Sequence, residues 1–358
     1  MSKMIKWPSI EQFRNVVKTV QMKTRYRGKD ETGEPIFDAF AKLPTLKFEG
    51  TVKLHGTNAA AGINNIGEMW FQSRENIITP EHDNAGFAMF GTANKRVFLD
   101  IAKEIDTNFI TTAYNDILIF GEWCCGNIQK GVAITGLPKM FVIFGIALVN
   151  ADEEKTYLTR AQVEEVLVNN VKKPEGKIPD DSYIYSIYDF STYIFEVDFE
   201  NPHLVQNALN DICLKVEQEC PVGKAFGITG IGEGIVIRCV SDGYNDSGFW
   251  AKIKGSLHSA SKVKTLATVD VERINDIQAL AATLAHNGRL EQGLQLVFDT
   301  LNGGEVDIKR TGEFVQWIMK DCFKEEIDTI AASGYNGKEL NGPISKIARD
   351  FLMKNLEI

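Results

Sequence analysis

The stretch Phe48-Glu49-Gly50-Thr51-Val52-Lys53-Leu54-His55-Gly56-Thr57-Asn58 is the part of the sequence that decides the fold. Its apolar residues, continued by Ala59-Ala60-Ala61, predict a strand, a turn at Gly56 and a second strand. Lys53 lies inside this run, where a lysine either extends its ammonium to water from an edge strand or is kept for its chemistry. A nucleophilic lysine needs a depressed pKa, which burial or neighbouring cations can supply. The polar residues that follow Lys53 favour a site.

Five further motifs carry charged or aromatic residues at the ends of predicted strands. Each has an ordinary structural explanation when taken alone, as a surface arginine, a structural salt bridge or a core aromatic residue. The motifs are Ser73-Arg74, Phe120-Gly121-Glu122-Trp123, Phe141-Val142-Ile143-Phe144, Gly232-Glu233-Gly234 and Phe249-Trp250-Ala251-Lys252-Ile253-Lys254. Because the five motifs occur together in one domain with Lys53, we interpret them as parts of one site.

These residue types match the parts of a nucleotide. A strand-end carboxylate such as Glu122 can accept hydrogen bonds from a ribose, and an aromatic ring such as Phe144 can stack on a purine. Glu233, between glycines, is a natural ligand for Mg²⁺ or its water shell. Lys252 and Lys254 point to one face about 7 Å apart, so an anion such as a phosphate is expected between them.

Together with Lys53, these motifs predict covalent nucleotidyl transfer. The lysine attacks the α-phosphate of a nucleotide, Mg²⁺ and cationic side chains neutralise the developing charge, and pyrophosphate departs. The glycine spacing around Glu233 matches neither a dinucleotide-binding fingerprint nor a P-loop.

The composition is that of a globular protein, with 44% hydrophobic and 24% charged residues in 358 positions. The net charge of −9 argues against a nucleic-acid partner, but the N-terminal segment is strongly basic. Residues 1–29 contain one acid, Glu11, and eight basic residues: Lys3, Lys6, Arg14, Lys18, Lys23, Arg25, Arg27 and Lys29. This segment is either a source of phosphate contacts or a solvated amphipathic helix.

The compartment is predicted from what the sequence lacks. It has no apolar run of about 18 residues and no apolar signal-peptide core. Its six cysteines form no CxxC pair and no zinc-spaced cluster, so they read as reduced thiols. We therefore expect a cytoplasmic, monomeric protein with no membrane partner.

Three segments are expected. Residues 1–45 form a basic helical extension, whose helix is predicted to begin with a capping box of Ser9 and Gln12, followed by a hairpin or loop over 24–37. Residues 46–258 form an α+β domain of antiparallel strands, and 259–358 form a small all-α domain with apolar stripes that begin at Val271 and Ile274. The predicted strands are 47–54, 57–63, 68–73, 116–122, 140–149, 183–187, 192–197, 234–240 and 248–254, and the predicted helices within this domain are 90–105, 159–169 and 201–220.

The ordered motifs resemble those of covalent nucleotidyltransferases, the superfamily of polynucleotide ligases and mRNA capping enzymes. The form Lys53-Leu54-His55-Gly56-Thr57-Asn58 is similar to the RNA ligase 2 family of bacteriophages and to the RNA-editing ligases of trypanosomes. The resemblance implies an ATP-grasp-like adenylation domain of antiparallel sheets with flanking helices. Val52 and Gly145 depart from the family pattern, which has acidic residues at these positions.

The resemblance also implies roles for individual residues. Lys53 would form lysyl-AMP, and Glu233 would bind the metal. Lys252 and Lys254 would contact the α-phosphate and its leaving group as catalytic residues. The implied nucleotide-binding set is Lys53, Leu54, Asn58, Arg74, Glu122, Phe144, Lys252 and Lys254.

The function implied is that of an ATP-dependent RNA ligase that uses Mg²⁺ or Mn²⁺. It would join 3′-hydroxyl and 5′-phosphate ends through lysyl-AMP and RNA-adenylate, sealing nicks in duplex RNA during RNA repair. Two alternatives stay open: a ligase for DNA or DNA/RNA hybrid nicks, and a non-catalytic RNA- or nucleotide-binding module.

Overall fold

A computed structural model describes residues 4–109, 114–126, 128–244, 246–255 and 277–356. The chain divides into two compact units, Met1–Gly255 and Ser256–Ile358. Among the described helices, none is long and apolar enough to cross a membrane.

The first unit is built mainly from strands. In chain order they are β1 (Glu11–Gln12), β2 (Tyr26–Lys29), β3 (Pro35–Phe37), β4 (Thr45–Lys53), β5 (Gly56–Asn64), β6 (Met69–Ser73), β7 (Ile77–Ile78), β8 (Asp116–Cys124), β9 (Met140–Val149), β10 (Lys155–Tyr157), β11 (Ile184–Ser186), β12 (Thr192–Asp198), β13 (Gly234–Cys239) and β14 (Trp250–Lys254). The strands predicted from the sequence agree with the observed ones to within two residues at every end.

Helices flank these strands. They are α1 (Phe13–Arg25), α2 (Phe87–Ala93), α3 (Lys95–Asn108), α4 (Arg160–Leu167), α5 (Val205–Gln218) and α6 (Pro221–Ala225). The mixed α+β class is therefore confirmed. The helix predicted over 90–105 is wrong as a single element, because α2 and α3 are separated at Asn94, whose backbone is not helical and whose side chain bonds the Phe90 carbonyl.

The predicted capping box of Ser9 and Gln12 is also wrong. The first helix begins at Phe13 with Gln12 as its N-cap and with no side-chain capping bond. Glu11 and Gln12 instead pair in parallel with Ala251 and Lys252 as the edge strand β1. The residues that the capping box would have placed in the first helical turn are therefore extended and paired in the sheet. The predicted hairpin over 24–37 is confirmed by the pairing of β2 with β3.

Two sheets form the frame of the first unit. One has five strands in the order β1-β14-β13-β4-β12, and the other has seven, in the order β10-β9-β8-β5-β6-β7 with β11 beside β9. Helix α1 packs on the outer face of the first sheet, where Phe13 meets Phe48 at 6.4 Å between ring centroids. Helices α2 and α3 cover the outer face of the second, where Phe87 and Phe98 pack on Phe141. The inner faces of the two sheets border a cleft.

The second unit is helical in its described part. Its helices are α7 (Ile277–Leu284), α8 (Asn287–Phe298), α9 (Thr311–Glu325), α10 (Ile327–Ser333) and α11 (Gly337–Leu356). Their apolar stripes meet in one core that includes Leu280, Phe314 and Ile344, each fully buried. Val271 and Ile274 of the predicted first stripe lie outside the described residues.

Candidate active site

Strand register places three ends of the five-stranded sheet side by side. Gly234 at the start of β13 pairs with Lys53 at the end of β4 and with Lys254 at the end of β14. Glu233 immediately precedes this rung and is 3% exposed. The lysine ammonium groups therefore converge on a buried carboxylate, with Lys53 Nζ at 2.7 Å from Glu233 Oε2 and Lys254 Nζ at 3.3 Å from Oε1.

His55 completes this cluster, with its Nδ1 at 3.1 Å from Glu233 Oε2. Burial alone would raise the pKa of Glu233, but the charges of Lys53 and Lys254 and the hydrogen bond with His55 outweigh it and hold that pKa well below its usual range. Glu233 is therefore a carboxylate at neutral pH, and it positions the ends of both lysine side chains.

Two glycines permit this arrangement. Gly234 has a φ of 148°, and a Cβ there would lie 2.2 Å from the Ile253 carbonyl oxygen. Gly56 passes so close to the next strand that a Cβ would lie 2.5 Å from the Trp123 carbonyl oxygen. Both positions require glycine because the backbones approach closely.

Glu122 lies on the opposite sheet, beside the turn that follows Lys53. Its Oε1 accepts a hydrogen bond of 3.0 Å from the Gly56 N–H, and Asn58 is its direct cross-strand partner. Burial raises the pKa of Glu122 to about 7, although the charge of Lys53 acts against this and Glu233 adds to it. The charge of Arg74 also reaches Glu122, while the Arg74 side chain stays 54% exposed.

Phe144 lies deeper along the cleft, in an aromatic cluster. Trp7 packs against Phe144, Phe120 and Trp250 with ring centroids 5.2, 4.9 and 5.1 Å away. Arg238 from the facing sheet donates to the Phe144 carbonyl oxygen at 2.9 Å, so it connects the two sheets.

The structure groups the predicted residues unequally. Lys53, Lys254 and Glu233 are in direct contact, and Glu122 and Asn58 face each other on the neighbouring strands. The remaining predicted residues surround this centre. Lys252 is two residues along β14 from Lys254 and pairs with Val236, Arg74 is exposed, Leu54 is buried at 6% exposure, and Phe144 belongs to the aromatic cluster.

Three residues of the cleft were not predicted as site residues. His55 immediately precedes the turn predicted at Gly56, and it contacts Glu233. Arg238 could have been found, because strand alternation from Gly234 puts it on the inner face. Trp7 lies in an irregular segment whose sequence has no periodicity that would locate it.

Within the described residues, no group of three or more His, Cys, Asp or Glu side chains is arranged to hold a metal ion. Glu233 and Glu122 are the two carboxylates beside Lys53.

Comparison with known proteins gives a family and a set of distant structures. The family described as RNA ligase matches residues 46–254, more than half of the chain. A search of curated proteins found no match.

Solved structures of an RNA ligase from Naegleria gruberi are similar to the chain. A mutant with ATP and Mn is 15% identical with a TM-score of 0.40, and a form with pyrophosphate is 16% identical with a TM-score of 0.40. A mutant with AMP and Mn is 14% identical with a TM-score of 0.41. In each case the match covers 71% of this chain and 57% of the Naegleria chain. On the match over residues 46–254, the chain belongs to the RNA ligase family.

Proposed function

We propose that this protein is an ATP-dependent RNA ligase that seals 3′-hydroxyl and 5′-phosphate ends, with nicks in duplex RNA as its substrate and RNA repair as its role. The observation that carries the proposal is the convergence of Lys53, Lys254 and His55 on buried Glu233. Membership of the RNA ligase family supports the reaction class.

In the first step, Lys53 is the nucleophile. Its Nζ forms a bond to the α-phosphorus of ATP, the bond from that phosphorus to the bridging oxygen breaks, and pyrophosphate leaves with the electron pair. Before it attacks, the Lys53 ammonium gives up one proton to water, because only the neutral amine has a lone pair, and the nitrogen loses a second proton to water once it is bonded to phosphorus. Glu233 holds Lys53 Nζ at 2.7 Å and so orients it before attack.

The neighbouring lysines stabilise the charge that develops on the phosphates. Lys254 shares Glu233 with Lys53, and Lys252 points to the same face two residues further along β14. We therefore assign both ammonium groups to the α-phosphate and its leaving group. The AMP then passes from Lys53 to the RNA 5′-phosphate, and the 3′-hydroxyl displaces it.

The opposite sheet binds the nucleoside. Glu122, with a pKa of about 7, can accept or donate a hydrogen bond at a ribose hydroxyl. Asn58 beside it and exposed Arg74 are assigned to the ribose and to phosphates of the nucleic acid, Leu54 to the walls of the site, and Phe144 to stacking on adenine.

A divalent metal fits this site as part of the substrate complex. Mg²⁺ takes one or two carboxylates and fills its remaining positions with phosphate oxygens and water. Glu233 is such a carboxylate, within contact distance of the phosphate-binding lysines. Bound Mg²⁺ or Mn²⁺ would supply further neutralisation of phosphate charge.

The proposal is tested with α-labelled ATP, GTP, CTP and UTP, followed by sealing of matched nicked RNA, DNA and hybrid duplexes. We expect a covalent protein–AMP adduct from ATP and the fastest sealing on RNA. Faster sealing of DNA nicks would assign the enzyme to DNA. If none of the four nucleotides forms a covalent adduct, the protein is a non-catalytic RNA- or nucleotide-binding module instead.

A further inference from the structure

The segment that precedes β1 crosses the cleft from one sheet to the other. At its start, the Ile5 N–H donates to Gln72 Oε1 at 3.3 Å, and the Ile5 carbonyl accepts from Gln72 Nε2 at 2.6 Å. Gln72 belongs to the seven-stranded sheet, whereas Glu11 and Gln12 pair with β14 of the five-stranded sheet. Trp7 therefore enters the space between the sheets.

The depth of Trp7 follows from the strand register. Gly234 pairs with both Lys53 and Lys254, and four residues further along β13 Arg238 pairs with Glu49 and Trp250. These two rungs are separated by about 13 Å at 3.3 Å per residue. Trp7 stacks on Trp250 with an interplanar angle of 26° and lies 5.2 Å from the Arg238 guanidinium.

A nucleotide in this cleft would reach Trp7 with its base. In the proposed reaction its α-phosphate would lie at Lys53 and its base against Phe144, whose ring is 5.2 Å from that of Trp7. The edge of the base that is remote from the ribose therefore points toward the indole. Trp7 would then form the floor of the space that the base occupies.

Gly145 admits the indole. A Cβ on Gly145 would lie 2.3 Å from Cη2 of Trp7, so any other residue would collide with the ring.

The indole N–H of Trp7 is buried and has no hydrogen-bond partner among the described residues. Trp70 in the same cluster differs, because its N–H reaches Gln72 Oε1 at 3.3 Å. Buried N–H groups are almost always paired, and an indole can only donate. A ligand that offers an acceptor at the floor of the pocket would complete the site.

We propose that Trp7 donates its indole N–H to N1 of adenine and so selects ATP over GTP. Adenine N1 is an acceptor, whereas guanine carries a hydrogen on N1, which would oppose the indole N–H. This inference rests on the proposed nucleotidyl transfer at Lys53. It gives the N-terminal segment a role in base recognition that is separate from its charge.

The test measures single-turnover lysyl-AMP formation by wild type, Trp7→Phe and the matched control Trp70→Phe. Trp7→Phe keeps an aromatic ring but loses the N–H. We expect it to raise the half-saturating ATP concentration roughly fivefold, the scale of one hydrogen bond, and to lower the preference for ATP over GTP similarly. The rate at saturating ATP should stay within about twofold, and Trp70→Phe should leave the nucleotide preference intact.

A nucleotide analogue separates recognition from packing. 1-Deaza-ATP lacks the N1 acceptor, so wild type should bind it roughly fivefold more weakly than ATP, and Trp7→Phe should bind it as well as wild type does. Equal use of ATP and 1-deaza-ATP by wild type would overturn the proposal, even if Trp7→Phe failed to fold. Equal ATP/GTP preference in wild type and Trp7→Phe would also overturn it. If wild type forms no lysyl-AMP, the proposed function fails first.

Discussion

Glu233 in the first unit and Arg289 in the helical unit are both buried charges surrounded by groups of opposite sign. Glu233 contacts Lys53, His55 and Lys254, and the two lysine side chains are 21% and 32% exposed. Arg289 is 6% exposed and is held by Asp321 at 2.7 Å, by Glu326 at 3.6 Å and by a backbone carbonyl.

The difference lies in what each cluster can still bind. The lysines at Glu233 end in a cleft between two sheets, where a phosphate can approach them. The guanidinium of Arg289 is enclosed: Asp321 and the Leu284 carbonyl accept its hydrogen bonds, and Glu326 forms an ion pair with it. Buried charge alone therefore does not identify a site, because access decides whether the cluster acts on a ligand or holds helices together.

Of the substitutions considered, Glu233→Gln should have the largest effect on activity. The amide keeps the shape but loses the charge that orients Lys53 and Lys254, so we expect lysyl-AMP formation to fall by roughly a hundredfold or more. Single-turnover assays with α-labelled ATP measure this. Retention of more than about a tenth of the wild-type rate would contradict the assigned role.

Arg289→Met should show the opposite behaviour. It leaves Asp321 and Glu326 without their cation, and breaking a buried pair costs about 3–5 kcal/mol. Denaturant unfolding should show this loss, with Arg289→Lys losing less, while lysyl-AMP formation by folded protein stays unchanged. If Arg289→Met unfolds with the same free energy as wild type, Arg289 does not stabilise the helical unit, and the contrast with Glu233 fails.

Lys252→Ala and Lys254→Ala should each slow adenylylation by about tenfold or more. Each removes a charge-assisted contact to phosphate of about 1.5–3 kcal/mol. The exposed lysine Lys18 of α1 provides a matched control, since Lys18→Ala removes a charge far along the chain from the cluster. Near-wild-type rates for both twin-lysine variants would show that they do not contact the reacting phosphates.

Glu122→Gln should change how stability depends on pH. Burial raises the pKa of Glu122 to about 7, above its ordinary value of 4.5, so the folded state holds its proton more tightly than the unfolded chain. Stability from this proton is fully present below about pH 4.5 and is lost as the pH rises through 7. Glu122→Gln should therefore be more stable than wild type at pH 8 by roughly 1–3 kcal/mol and equally stable at pH 4.5. If the free energies of unfolding of wild type and Glu122→Gln depend on pH in the same way, the pKa of Glu122 is not raised by burial.

Much of this architecture could be predicted from the sequence, because strands β4, β5, β9 and β13 are apolar runs bounded by glycine and polar turns. The residues next to Lys53 and Glu233 were found for the same reason, since they lie at strand ends. The first helix was predicted to begin after Ser9 rather than at Phe13, because the pairing of Glu11 and Gln12 with β14 is a long-range contact.

The remaining features also depend on distant parts of the chain. Trp7 reaches Trp250, and Arg238 reaches the Phe144 carbonyl, across separations that no local pattern encodes. Similarly, nothing around Arg289 in the sequence indicates that it is buried with Asp321. Local pattern thus predicts which residues end strands, while the partners across the cleft come from the fold.

The most direct measurement is to locate the AMP. Wild-type protein is incubated with ATP and Mg²⁺, digested, and its peptides are analysed by mass, with Lys53→Ala treated in parallel. We predict a single AMP on the peptide that contains Lys53 and none on Lys53→Ala. AMP on a peptide that contains Lys252 or Lys254 instead, or an adduct that persists in Lys53→Ala, would contradict the assignment of Lys53 as the nucleophile.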